Sequence, residues 1–162
     1  MRVKEGGHVF MQGDLCSQVF MVRNGLLKAY YIRADGKEHI KSFQPEGSII
    51  GSMVALMDAE AATFSLVAVE DSDLVALPYS QLADAARSDI QLAGALIEFL
   101  SAYGKRKERR EFELLCLSPE DRFGLLQETM PSLLDRVSQA DLAAYIGITP
   151  QALSRIKRRI KR

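Results

Sequence analysis

Between Gln139 and Arg162 the chain sets a small residue, Ala143, and a glycine, Gly147, four positions apart inside an apolar pattern that two crossed helices can share. Leu142, Ile146, Ile148, Leu153 and Ile156 stand where such a pair forms a common core. Ala143 must be small because the second helix crosses close above it, and Gly147 can take the left-handed conformation that a three-residue turn needs. Thr149 followed by Pro150 reads as an N-cap followed by proline at the first helical position. After Asp141 the chain carries Arg155, Lys157, Arg158, Arg159, Lys161 and Arg162 and no acidic residue. A helix so charged suits the major groove of DNA. The alternative is an ordinary helical hairpin with a solvated basic end. Turn chemistry, core spacing and charge agree with one another, and that agreement favours DNA.

The formal net charge of zero hides an asymmetry: residues 1–99 hold 8 Lys+Arg against 13 Asp+Glu, and residues 100–162 hold 13 against 8. The acidic half should stay off DNA, while the basic half can neutralise phosphates. A hydrophobic content of 48% is ample for a packed core. No apolar run approaches the ~20 residues of a membrane span, and the first residues do not read as a signal peptide. Cys16 and Cys116 lie far apart without paired spacing, so zinc or iron–sulfur ligation within the chain is not expected and a cytoplasmic setting is.

Residues 1–80 read as short strands: Val9–Phe10, Gln18–Arg23, Gly25–Arg33, His39–Phe43, Ser48–Ile50, Thr63–Ala68 and Asp73–Pro78. Leu27, Ala29 and Tyr31 alternate with Leu26, Lys28, Tyr30 and Ile32, and Asn24-Gly25 and Asp35-Gly36 are hairpin dipeptides. Short strands at regular spacing predict a sandwich or jelly roll. From Tyr79 the period becomes helical. Tyr79–Ala86 is a short helix, and Asp89 to about Leu117 a long one of ~42 Å. A helix that long usually buries its apolar stripe against a partner's copy, here through residues 90–115. Ser118-Pro119-Glu120-Asp121 then starts another helix and marks a hinge.

Lys4-Glu5-Gly6, Gln12-Gly13-Asp14, Val19-Phe20-Met21-Val22 with Gly25, Tyr31 with Asp35-Gly36-Lys37-Glu38, Gly47, Gly51 and the Gln139–Arg162 pattern occur in the order and spacing of one family. In these the chain resembles the Crp/Fnr family of bacterial transcription regulators. The resemblance implies an α+β chain: an N-terminal β jelly roll over 1–87 like a cyclic nucleotide-binding domain, a long dimerisation helix over 88–117, and a helix-turn-helix domain over 118–162. It implies a homodimer on double-stranded DNA, with RNA polymerase a candidate partner. Two departures stand at the ends: the family's helical lead and C-terminal wing have no counterpart between Met1 and Arg162.

In cyclic-nucleotide-binding members a Gly-Glu pair takes the ribose, and an Arg-Ser or Arg-Thr pair neutralises the phosphate. The corresponding pairs here are Gly51-Ser52, followed by Met53, and Ala62-Thr63. Losing a charge-assisted contact to a phosphate should cost about 1.5–3 kcal/mol, one to two decades of affinity. Lys107 stands near the position where relatives offer small hydroxyl residues to the base. The expectation is therefore an unknown effector or none, and not cyclic AMP, around Gly51, Ser52, Met53, Ala62, Thr63 and Lys107. Arg23, Arg33 and Lys41 could supply a replacement charge, but no spacing aims them at the pocket. His8, His39 and the lone cysteines offer no haem or metal set, and no nucleophile elbow or Walker loop is present, so the chain does not read as an enzyme. Gln151 and Arg155 are the candidates for base edges, with Ser154 also facing outward. Lys157, Arg158 and Arg159 are candidates for phosphates, with Thr149 and Ser138 helping at helix ends. The competing function is a dimeric sensory module that binds another small effector with little DNA binding.

Overall fold

The computed structural model describes residues 1–160; Lys161 and Arg162, counted above among the basic residues, lie outside the described residues. Two compact units meet between Ser88 and Asp89, so the long helix falls in the same unit as the helices that follow it.

Strands β1 (Arg2–Val3), β2 (His8–Phe10), β3 (Gln18–Asn24), β4 (Leu27–Ile32), β5 (Glu38–Gln44), β6 (Ile49–Ile50), β7 (Ser65–Ala68) and β8 (Ser72–Pro78) build the first unit. They form two antiparallel four-stranded sheets in the orders β1-β8-β3-β6 and β2-β7-β4-β5, a jelly roll. The inward residues alternate as expected of half-buried strands. Phe20, Val22 and Leu74 come from one sheet, and Leu27, Ala29, Leu66 and Phe10 from the other. Phe64, 2% exposed, stands edge-on to Phe10 at 5.2 Å between ring centroids. Tyr31, in alternation with Leu27 and Ala29, packs against this core, and the β4–β5 pairing shifts register between Ala29 and Tyr30, where β5 carries the extra residue Lys41.

The two hairpin dipeptides part company. Asp35-Gly36 does close a hairpin, with Ile32 opposite Glu38 and the Arg33 N–H donating to the Lys37 carbonyl. Asn24-Gly25 instead carries the chain from one sheet to the other, because β3 pairs with β6 and β8 and not with β4. Gly25, at φ 98°, passes so close to β8 that an added Cβ would sit 2.3 Å from Ser72 Oγ and 2.7 Å from its Cα. Left-handed backbone and steric contact act together here, so Gly25→Ala should cost more than the ~1 kcal/mol of conformation alone. A urea melt showing less than that loss overturns this reading of the crossing.

Three short elements escape the periodicity: β1, the six-residue α1 (Met53–Asp58) and the four-residue α5 (Leu133–Arg136). Each is too short to show a repeat. The longer helices follow the expected boundaries. These are α2 (Tyr79–Ser88), α3 (Ile90–Cys116), α4 (Pro119–Thr129), α6 (Gln139–Ile146) and α7 (Pro150–Ile160). Asp89 caps α3 by accepting from the Gln91 and Leu92 N–H groups, and Ser118 caps α4 by accepting from Asp121.

Candidate functional site

The second unit presents the helix-turn-helix from its local chemistry upward. Ser138 Oγ accepts the Asp141 N–H at 3.0 Å and starts α6. Gly147, at φ 86° and ψ 31°, ends it, donating to the Ala143 and Ala144 carbonyls. Ile148 also donates to Ala143, so a left-handed cap satisfies two of the last carbonyls. Thr149 Oγ1 then accepts the Ala152 N–H at 3.2 Å and begins α7. Leu142, Ala143, Ile146, Leu153 and Ile156 are all buried, Leu142, Ala143 and Leu153 completely. With Leu153 and Ile156 turned inward, the 3.6-residue period sends Gln151, Arg155 and Arg158 to the opposite face. All three are exposed, as are Thr149, Ser154 and Arg159. Gln151 to Arg158 spans about 10 Å along the axis, close to three base pairs.

The predicted phosphate contacts are not alike. Arg159 forms an ion pair with Glu120 at the start of α4. Lys157 is half-buried, 5.6 Å from the Phe123 ring, and its ammonium donates to Gln139 Oε1 at 2.5 Å. Arg158, exposed, points with the base-reading candidates. The partners Glu120 and Gln139 are invisible to spacing arguments, because they come from other helices.

Two further arginines were hidden in the sequence. Arg110, inside the charged block of α3, lays its guanidinium 3.9 Å over the Tyr145 ring and donates to the Tyr145 carbonyl and to Glu113 Oε2. Arg122 donates one nitrogen to the carbonyls of Glu113, Leu114 and Leu117, closing the end of α3. Burial pushes the Tyr145 phenol above its ordinary pKa, with the Arg110 charge working against that shift. A charge run normally signals a solvated face, and so nothing in the sequence marks Arg110 as half-buried.

In the first unit, Gly51 and Ser52 link β6 to α1. Ser52 is 1% exposed, and its hydroxyl has no partner among the described residues. Ala62 is 2% exposed and held on both sides: its N–H donates to the Asp14 carbonyl and its carbonyl accepts from Gly13, each at 2.8 Å. Met53 is half-buried and Thr63 exposed. Next to Ala62, the Phe64 ring meets Phe10 and Tyr31 edge-on and carries the Lys41 ammonium 3.7 Å above it. Lys41 thus turns inward, which its place in the sequence did not disclose. An open hollow of about 430 Å³, lined in part by Leu15, Cys16 and Gln18, shares none of the six expected effector residues. Lys107 belongs to the second unit, on α3, with its ammonium 5.8 Å from the Tyr103 ring.

Residues 1–89 match the family model of the cyclic nucleotide-binding domain. The chain belongs to that family, in its Crp/Fnr branch. The transcriptional activator protein Anr of Pseudomonas aeruginosa is 24% identical over 95% of this chain and 67% of its own length. The regulatory protein HlyX of Actinobacillus pleuropneumoniae is 23% identical over 99% of this chain and 70% of its own. The structure of FixK2 from Bradyrhizobium japonicum superposes with a TM-score of 0.87 at 19% identity, covering 99% of this chain and 83% of that one. This Crp/Fnr-type chain therefore shares both the jelly roll and the helices that follow with transcription regulators. No helix among the described residues is long and apolar enough to cross a membrane.

Proposed function

We propose that this chain regulates transcription as a cytoplasmic homodimer, without catalytic activity, reading DNA through α7 and taking no cyclic AMP in its jelly roll. The observation that carries the reading is the division of α7: Leu153 and Ile156 anchor it, and Gln151, Arg155 and Arg158 stand together on the open side. Gln151 and Arg155 read base edges, Gln suiting adenine and Arg guanine. Ser154 flanks them. Arg158, with Thr149 and Ser138 at the helix ends, meets phosphates, and Arg159 and Lys157 do so from the flanks. RNA polymerase is the further partner that this class of regulator would address.

Dimerisation is supported by α3. None of its 27 residues is buried, and Ile90 (87%), Ile97 (64%), Phe112 (55%) and Leu115 (77%) leave large apolar side chains in solvent. So much exposed apolar surface on one helix is what a second copy removes from water. Two recognition helices held this way would lie one DNA turn apart, about 34 Å.

The reading of the pocket rests on Ser52, Ala62 and Phe64. The first two offer no charge to a ribose or a cyclic phosphate, Ala62 is tied into the backbone of residues 13–14, and Phe64 is buried with the Lys41 ammonium over its ring. Gly51, Met53 and Thr63 complete the residues of the first unit that a different effector would meet.

Selection from a pool of random duplexes, at two salt concentrations and with or without cyclic AMP, tests both halves. We expect enrichment of a near-palindrome with half-sites one turn apart, unchanged by cyclic AMP. Enrichment that depends on cyclic AMP would overturn the reading of the pocket. Sequence-blind, weak binding would overturn the reading of α7 and favour a sensory module.

A further inference from the structure

The C-terminal end of α3 is joined to the helix-turn-helix through a half-buried polar contact that the fold alone does not require. In α6 the Gly147 and Ile148 N–H groups take up the carbonyls of Ala143 and Ala144. The Tyr145 carbonyl, one of the orphan groups at a helix end, is taken by Arg110. A cation at this place also meets the negative end of the helix dipole. The same guanidinium covers the Tyr145 ring at 3.9 Å and reaches Glu113 at 3.2 Å, so that one planar side chain holds a ring, a carbonyl and a carboxylate. Its side chain is only 16% exposed. Arg122 fixes the other side by gathering three carbonyls of the α3 terminus.

We propose that Arg110 is a positioning residue for DNA recognition: it fixes the direction of α6, and through the α6–α7 core the direction of the recognition helix, relative to α3. The proposal rests on the dimeric reading above and extends it to a residue that touches no DNA. Arginine is needed because its rigid fork can stack and donate in two directions at once, which a lysine ammonium cannot do. Each base pair added between half-sites turns one of them about 34° around the duplex and moves it about 3.4 Å. A rigid joint cannot follow that change, whereas a loose one can.

The test uses the full chain and the near-palindrome recovered by selection, remade with one and two base pairs added or removed between half-sites. For the unaltered protein we expect the selected spacing to be favoured about tenfold or more. Arg110→Lys should bring that ratio below about threefold while leaving affinity for a single half-site, and the thermal melt, close to the original. Arg110→Lys with the spacing ratio intact overturns the proposal. So does an equal loss on half-site and full site, since that marks a merely structural role. If Arg110→Lys does not fold, Tyr145→Leu keeps the carbonyl but removes the stacking face, and it is held to the same criteria. A spacing ratio that survives that change counts against the joint. An unaltered protein with no preferred spacing overturns the dimeric reading itself, and the proposal with it.

Discussion

Leu153→Ala should lower the stability of the helix-turn-helix by about 2–5 kcal/mol and abolish sequence-specific DNA binding. Leu153 is completely buried where α7 crosses α6, with Leu142, Ala143 and Ile146 from one helix and Ile156 from its own. Removing three carbons there loses the transfer free energy and leaves a cavity that Ala143, already small, cannot fill. The jelly-roll core, built on Phe10, Phe20, Phe64 and Leu66, contains none of these residues. Hydrogen exchange should therefore quicken in peptides covering 139–160 and stay slow in β3, β4 and β7. Equal loss of protection in both units, or a loss of stability under about 1 kcal/mol, would show that the buried pair is not what holds the recognition helix.

The second large effect is on specificity. Arg155→Ala should remove preference for one base pair in each half-site, worth about 1–3 kcal/mol, while the remaining positions keep theirs. Arg158→Ala should weaken every sequence alike and flatten the salt dependence by about one. Arg159→Ala should do the same to a lesser extent, because Glu120 already neutralises part of its charge. Selection repeated with each variant separates these outcomes. If Arg155→Ala and Arg158→Ala give the same uniform loss, Arg155 contacts phosphate and not a base.

The two units reach their site properties by different routes. In the helix-turn-helix, function follows from which side chains are left over once the core is made: Leu153 and Ile156 must turn inward, so Gln151, Arg155 and Arg158 cannot. In the jelly roll, Phe64 meets the chain's own aromatic rings, Phe10 and Tyr31, and carries Lys41 over its face. A cation over an aromatic face in a partly dry setting is itself favourable, by about 0.5–2 kcal/mol.

Elements with a local signal were legible in the order of the residues. Gly147 requires left-handed backbone, Thr149-Pro150 sets a helix start, and Leu27, Ala29 and Tyr31 alternate along a strand; each is a constraint within a few residues. The family resemblance added the order of domains and the positions of the altered pairs. Other features depend on contacts between segments far apart in the chain. Asn24-Gly25 crosses between sheets because β3 finds β6 and β8, partners far away in the chain. Arg110 is half-buried on Tyr145, 35 residues on, although it lies in a run of charges that reads as solvated. Arg159 meets Glu120, Lys157 meets Gln139, and Lys41 caps Phe64. Period and capping report the free energy of neighbours along the chain, whereas a long-range ion pair or stacked guanidinium depends on which surfaces the fold brings together.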